Sequence, residues 1–88
     1  MAVTHGRMEC KLYTSAFSGE VVFQVNTLNG QSHEGIAPKH YVASSIKPTK
    51  DSVEGQVKVR VLKNEGNETR VYVPDGQILN VSADKVHE

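Results

Sequence analysis

The stretch Val53-Glu-Gly-Gln-Val-Lys-Val-Arg-Val-Leu-Lys63 decides the fold class of this chain. Its odd-numbered positions from 53 to 61 carry Val or Gly, and the positions between them carry charged or polar side chains. Successive side chains of a β-strand point to opposite faces, so this alternation predicts a strand with one buried and one solvated face. The valines therefore belong to the core of a sheet.

A glycine-containing loop and a second apolar stretch follow this strand. Asn64-Glu-Gly66 suits a three-residue hairpin loop with Gly66 in the left-handed conformation. That loop predicts three cross-strand pairs on one side of the ribbon: Val61 with Thr69, Val59 with Val71, and Val57 with Val73. Because the apolar partners meet, we expect this register.

The composition favours an all-β fold for the whole chain. Thirteen of the 88 residues are Val, which is stiff at χ1 and suits strands. This length allows one domain. We expect residues 8–88 to form a small barrel or sandwich of five to six short, mostly antiparallel strands, preceded by a flexible N-terminal arm over residues 1–7.

Charge and cysteine content exclude several classes of protein. Ten basic and ten acidic residues give a formal net charge of zero, which removes the bulk attraction of a nucleic-acid-coating protein. A single Cys excludes an internal disulfide and argues against a multi-cysteine zinc site. The chain has no signal-peptide run and no long apolar segment, so we expect a cytoplasmic protein without membrane contact.

A second hairpin is predicted in the N-terminal half. Residues 20–27 alternate, and their apolar positions are Val21, Phe23 and Val25. Asn29-Gly30 is a strong signal for a two-residue type I′ turn, which places Phe23 opposite Ile36. A three-residue turn moves every partner by one residue and exchanges the faces. We expect the two-residue turn because it brings two large apolar side chains together.

Shorter elements complete the prediction. They are a first strand at 9–14, a tight helical turn at 38–42, a polar connector at 43–52, a turn at 74–76, a strand at 77–81, and a closing turn at 82–86 with Ser82 as its N-cap. We expect the turns at 38–42 and 82–86 to plug the ends of the barrel.

The two halves of the chain resemble each other. Gly19–Val25 matches Gly55–Val61 in residue type, 36 positions later, and each copy is followed by a glycine turn, a return strand and a closing turn that ends in Val. Either two related β-units pack together, or strands of similar burial look alike. The second interpretation is favoured, because repeat arrays usually contain three or more units.

Gly35-Ile-Ala-Pro-Lys-His-Tyr-Val42 resembles the closing segment of SH3 domains, in which a strand ends in Pro and a short helical turn carries a Tyr followed by Val. Leu12-Tyr13 followed by Glu20 resembles the start of the same domains. The resemblance covers residues 12–42 and implies an SH3-like small barrel with three peptide-contacting residues: Tyr13, Pro38 and Tyr41. The chain has no Trp and no acidic cluster in the first loop, and 46 residues follow the closing segment.

The outward face of the hairpin after Val53 carries the strongest candidate site. The predicted register sets Arg60 opposite Arg70 and Lys58 opposite Tyr72. Like charges directly opposed are unfavourable in a sheet, and an anionic ligand relieves the repulsion. Arg, Lys and an aromatic ring together hold phosphate and stack a base, as in single-strand binders. The alternative is an ordinary charged strand face that Glu54 and Glu68 neutralise.

The remaining chemistry-bearing residues point to no active site. The histidines are His5, His33, His40 and His87. Their spacing matches no metal signature, and neighbours 33 and 34 of a strand point to opposite faces. We therefore expect no metal and no cofactor. Cys10 lies mid-strand among apolar neighbours, which favours a buried, inert thiol over a nucleophile paired with His40.

These observations leave three classes of function. We expect a non-catalytic binding or accessory module that contacts a protein partner, or a second copy of itself, through strand edges, loops or the region of Tyr41. The alternative is a nucleic-acid or anion binder with a basic and aromatic strand face: Lys58, Arg60, Arg70 and Tyr72. A small enzyme is the least favoured class, since it needs Cys10 or a histidine pair in a concave pocket.

Overall fold

Two long strands, β1 (Thr4–Thr14) and β5 (Val53–Glu65), lie side by side at the centre of one curled sheet in the computed structural model, which describes residues 4–88. The other strands are β2 (Glu20–Asn26), β3 (Ser32–Pro38), β4 (Val42–Ala43), β6 (Glu68–Tyr72), β7 (Ile78–Ser82) and β8 (Val86–His87). Their order is β3-β2-β1-β5-β6-β7, and every pairing is antiparallel. The predicted all-β, barrel-like fold is confirmed, with six longer strands and two of two residues each over the described range.

The valines of β5 and β6 lie in the core, as the alternation predicts. Five of them are buried: Val57, Val59, Val61, Val71 and Val73. They pack with inward residues of β1, β2 and β7, among which Met8, Leu12 and Phe23 are completely buried. The charged positions between the valines are exposed, so the predicted face assignment of this hairpin is confirmed.

The predicted pairing of the β5–β6 hairpin is wrong by two residues. Val61 lies opposite Val71, and the register shifts between Val61 and Lys63 at a β-bulge. The loop is a two-residue turn at Gly66-Asn67, with Gly66 at φ +59°. Relative to the predicted three-residue loop, the two-residue turn shifts the β6 partner of each β5 residue by three positions, and the bulge shifts it back by one. An even displacement keeps every side chain on its face, which is why the valines still point inward.

The predicted turn of the first hairpin is also wrong. Three residues, Leu28-Asn-Gly30, form the loop, and the Thr27 amide donates to the Gln31 carbonyl at 2.8 Å. Phe23 therefore lies opposite Gly35, and Ile36 is 44% exposed. The reason is size, because a Cβ at Gly35 would clash with the Asp75 carboxylate and would lie only 2.8 Å from Cζ of Phe23. The ring needs an empty position opposite it, and a second large apolar side chain does not fit.

The first strand begins earlier than predicted. Thr4–Arg7, which we expected in a flexible arm, pair with residues Val61–Lys58 of β5; residues 1–3 of that arm lie outside the described residues. The inward position of this segment is Gly6, where an added Cβ would lie 3.1 Å from the His87 carbonyl oxygen. A glycine at the inward position gives no apolar signal, so the alternation does not extend to this segment.

The two closing turns form as predicted, and Val42 and Val86, which end the predicted turns, are partly buried against the core. Each is a 3₁₀ turn, the first at Lys39–Tyr41 and the second at Ala83–Lys85, and neither buries a side chain completely. Ser82 precedes the second turn without capping a backbone amide, since its hydroxyl donates to the Asp84 carboxylate at 2.6 Å.

The order of elements is the same in the two halves of the chain. Strands β1-β2-β3, a 3₁₀ turn and β4 are followed by β5-β6-β7, a 3₁₀ turn and β8. The last strand of each half pairs with the first strand of the other half, β4 with β5 and β8 with β1. This repeat is not the one that the sequence echo indicates, because the echo matches Gly19–Val25 with Gly55–Val61 and so β2 with β5, whereas the element order makes β1 the counterpart of β5. The echo itself agrees with the second interpretation, in which strands of similar burial look alike.

The outer strands β3 and β7 meet along a seam. No ladder joins them in the part of the chain that the structure describes. Two contacts cross the seam: His33 Nε2 lies 2.8 Å from Asp75 Oδ2, and the Leu28 amide donates to the Asn80 carbonyl at 3.0 Å. Local bonds therefore join the two outer strands of the curled sheet where no ladder does. No helix between residues 4 and 88 has the length and apolarity that a membrane span requires.

Candidate functional site

A groove of about 500 Å³ opens on the outer face of the sheet beside the first 3₁₀ turn. Two cations, Lys58 and Arg60, contribute to its lining. Its apolar and aromatic members are Tyr41, Tyr72, Pro38, Pro74, Val59 and Val73. Tyr41 is 38% exposed and Tyr72 is 40% exposed. We call this depression the tyrosine groove.

Strand geometry places the cations and Tyr72 in this groove. Lys58 and Arg60 alternate with buried valines of β5 and must point outward. The shift in register sets Tyr72 directly opposite Arg60. The end of β3 and the first 3₁₀ turn supply the other wall, where the Tyr41 ring stands edge-on to His40 with 4.8 Å between ring centroids.

Five of the seven residues that the sequence singled out come together here. Lys58, Arg60 and Tyr72 come from the basic-face hypothesis, and Pro38 and Tyr41 come from the SH3 resemblance. The other two do not line the tyrosine groove. Arg70 lies opposite Lys63 instead of Arg60 and donates from Nε to Asn80 Oδ1 at 3.1 Å, and the Tyr13 hydroxyl donates to Gln24 Oε1 at 2.9 Å.

The early start of β1 adds two basic side chains, Arg7 and His5, that the sequence hypothesis missed. Arg7 lies opposite Lys58, and His5 lies opposite Arg60, on the exposed face of the sheet. We call these four residues the basic block. Ion pairs within residues 4–88 join His33 to Asp75, Lys63 to Glu65 and His87 to Glu9, and none involves the block. The expected opposition of Arg60 and Arg70 is wrong, but Arg7 and Lys58 form a like-charge pair in its place.

A second depression lies across the basic block from the tyrosine groove. It measures about 730 Å³, and His5 and Lys58 line both spaces. Arg7, Gln56 and the C-terminal Glu88 also line it. The block is therefore open to a ligand from two sides.

The internal repeat generates a counterpart of the tyrosine groove. Across β1, β5 and β6, the tyrosine groove has His5, Arg60 and Tyr72 at neighbouring positions. Across β5, β1 and β2, the counterpart has Glu54, Lys11 and Gln24 at the equivalent positions. The counterpart measures about 250 Å³, and Lys85 of the second 3₁₀ turn lines it. Equivalent backbone positions thus carry rings and cations in one groove and amides with mixed charges in the other, which we call the polar groove.

Cys10 borders the polar groove but is poorly suited to nucleophilic attack. Its side chain is buried, at 6% exposure. Burial, together with the negative charge of Glu54, raises the pKa of the Cys10 thiol from 9.0 to about 12, against a smaller opposing effect of Lys85. The reactive thiolate is therefore scarce at neutral pH.

The histidines are dispersed over the fold. His5 and His40 line the tyrosine groove, whereas His33 bonds to Asp75 and His87 to Glu9. No group of three His, Cys, Asp or Glu side chains within residues 4–88 is arranged to hold a metal ion.

No family model matches this chain, and searches of curated proteins and of solved structures return no match.

Proposed function

We propose that this chain is a non-catalytic binding module that holds a segment of a protein partner in the tyrosine groove. The observation that carries the proposal is the convergence of Tyr41 and Tyr72 from different halves of the chain on one concave surface. Tyrosines give a large contact area at a low cost in side-chain entropy, and their hydroxyls remain available for hydrogen bonds.

The dimensions and composition of the groove support a peptide ligand. A space of about 500 Å³ accommodates a few side chains of an extended segment. Pro38 and Pro74 add rigid apolar surface without further backbone donors. Pro38 and Tyr41, two of the three residues that the SH3 resemblance implies, line the groove. Tyr13 does not, and the SH3-like arrangement is therefore part of the proposal only. A cytoplasmic location likewise remains a prediction.

Site-specific photocrosslinking in the cells that express the chain tests the proposal. A photoreactive amino acid at position 41 should capture a protein partner that the same group at the exposed position 46, outside the groove, does not capture. The purified partner should then bind the wild-type chain, and Tyr72→Ala should weaken that binding about tenfold, as for a central aromatic contact. A partner captured equally from both positions, or one insensitive to Tyr72→Ala, contradicts the proposal.

One observation favours a second candidate function, the binding of single-stranded nucleic acid. Arg60 lies directly opposite Tyr72, and Lys58 lies two positions from Arg60 on the same exposed face, an arrangement that combines phosphate contacts with base stacking. A short oligothymidylate should then shift the amide signals of residues 58–60 and 70–72, and binding should weaken as salt rises. Unchanged spectra at low salt exclude this function.

We propose no catalytic activity. The buried Cys10 thiol, with its pKa raised to about 12, supports this choice. The proposed binding needs no cofactor.

A further inference from the structure

The basic block has a charge arrangement that contacts within residues 4–88 do not compensate. Arg7 faces Lys58 across two neighbouring strands, and His5 faces Arg60 two positions further along the same ladder. Arg7 and Lys58 are like charges at directly opposed positions, an arrangement that destabilises a sheet. No carboxylate of the described residues forms an ion pair with these side chains. An anionic ligand that lies across the block removes this repulsion.

We propose that the bound partner segment is acidic and extended, with its carboxylates on the basic block and a neighbouring apolar or aromatic side chain in the tyrosine groove. The inference rests on the proposed function, because it assigns the chemistry of the ligand at that same groove. Arginine binds carboxylates through two parallel hydrogen bonds, and Arg7 and Arg60 lie at diagonal corners of the block.

The lining of the two depressions gives the path of the ligand. Lys58 and His5 line both the tyrosine groove and the second depression, so one extended chain can contact both spaces over the block. Neighbouring residues of an extended chain point to opposite sides. A segment in which acidic residues adjoin one apolar residue therefore meets the cations and the tyrosine rings together.

Acidic side chains at the borders of the block favour a short acidic peptide over a nucleic acid. Glu9 follows Arg7 on the same face of β1, and Glu88 lines the second depression without an ion pair to the block. Towards the hairpin tip, Lys63 is paired with Glu65 at 2.7 Å. A longer polyanion passes these carboxylates at both ends, whereas a short acidic segment can contact the block alone.

Fluorescence anisotropy with three labelled probes tests the inference. The first probe is a short peptide in which Glu and Asp flank a central Phe. The second has Gln and Asn in place of the acidic residues, and the third is a short oligothymidylate. We expect the acidic peptide to bind most tightly, and its affinity to fall several-fold between about 50 and 300 mM salt, as surface charges are screened.

Matched charge variants locate the binding. Lys58→Gln with Arg60→Gln should weaken binding of the acidic peptide about tenfold or more, because it removes two of the contacting cations. Lys47→Gln with Lys50→Gln removes the same charge from the exposed connector and should leave binding unchanged. Amide spectra of both variants establish that each is folded, and shifts in the wild-type spectrum should include residues 7, 58, 60 and 72.

The outcomes separate the inference from the proposed function. Equal binding of the acidic and neutral peptides, with shifts at Tyr41 and Tyr72, overturns the acidic ligand and leaves the peptide groove standing. Tighter binding of the oligothymidylate overturns both in favour of nucleic acid. Absence of shifts in the groove with every probe also overturns both. Self-association that the Lys58→Gln, Arg60→Gln variant abolishes in sedimentation velocity replaces the partner segment with a second copy of the chain.

Discussion

Gly35 and Phe23 face each other across β2 and β3, and the missing side chain of one makes room for the ring of the other. This fit sets the register of the hairpin more strongly than the pairing of apolar residues does. A glycine is therefore informative here through its small size, since it occupies an inward position that an ordinary strand fills with Val or Ile.

Gly35→Ala should destabilise the protein by about 1–3 kcal/mol, the usual cost of forcing an extra methyl into a packed core. The new Cβ would clash with the Asp75 carboxylate, which bonds to His33, and would lie 2.8 Å from Cζ of the completely buried Phe23. Chemical denaturation measures the loss, and Glu34→Ala at the adjacent exposed position is the control. Phe23→Leu should reduce the cost of Gly35→Ala in a double-mutant cycle. An unchanged denaturation midpoint for Gly35→Ala contradicts the packing argument.

We expect the folded chain to lose stability in alkaline solution because of the buried Cys10 thiol. Its pKa is raised from 9.0 to about 12 in the folded chain, so the unfolded chain loses the proton first as pH rises. The stabilising contribution is complete below about pH 9 and decreases towards pH 12, by at most about 1.4 kcal/mol per pH unit. Urea denaturation at several pH values should show a steeper decline for wild type than for Cys10→Ala, and parallel declines would disprove this linkage.

At the scale of elements, period-two alternation was sufficient to predict β2, β5 and the faces that they bury. Registers were not predictable in the same way, because loop length and bulges set them. The β5–β6 turn and the bulge near Leu62 shift the pairs by two residues, and apolar side chains remain on the same face in either register. Lys58, Arg60 and Tyr72 could therefore be found from the sequence. Arg7 and His5, which pair with two of them, were missed because Gly6 at the inward position interrupts the alternation of β1.

The β2–β3 loop allows a test of backbone geometry alone. Gly30 has φ +83°, and an added Cβ there would meet nothing within 4 Å. Gly30→Ala should therefore cost about 1 kcal/mol through the left-handed conformation and not through a clash. Gly30→Asn should cost less, because Asn tolerates this conformation better. Denaturation midpoints decide the point, and equal midpoints for wild type and Gly30→Ala would mean that the loop changes conformation.

At the scale of the whole molecule, the decisive features join residues that are distant in the sequence. The sequence echo matched β2 with β5 and so missed the repeat of element order, in which β1 corresponds to β5. The pairing of β4 with β5 and of β8 with β1 depends on how the halves pack. The convergence of Pro38 and Tyr41 with Tyr72 depends on the same packing. Local patterns carry no information about such contacts, so the candidate site was predicted as two separate surfaces.

The seam between β3 and β7 should be sensitive to the bond between His33 and Asp75. Their side chains lie 2.8 Å apart and are mostly buried, at 21% and 20% exposure. Asp75→Asn keeps the side-chain acceptor for the Gln77 amide but removes the charge, and should cost about 1 kcal/mol. Hydrogen exchange should accelerate at the Leu28 amide, which donates across the seam to Asn80. Unaltered exchange at Leu28 would show that the bond does not hold the seam closed.

Because both β-units belong to one polypeptide, a substitution in one groove has no obligatory copy in the other. In a symmetric pair of identical short chains, a ring at the position of Tyr72 would appear in both grooves. Here Gln24 occupies the equivalent position, and Lys11 occupies that of Arg60. Because the two halves are parts of one chain of 88 residues, their grooves can carry different residues at equivalent positions. One groove can therefore suit a ligand while the other has a different chemistry.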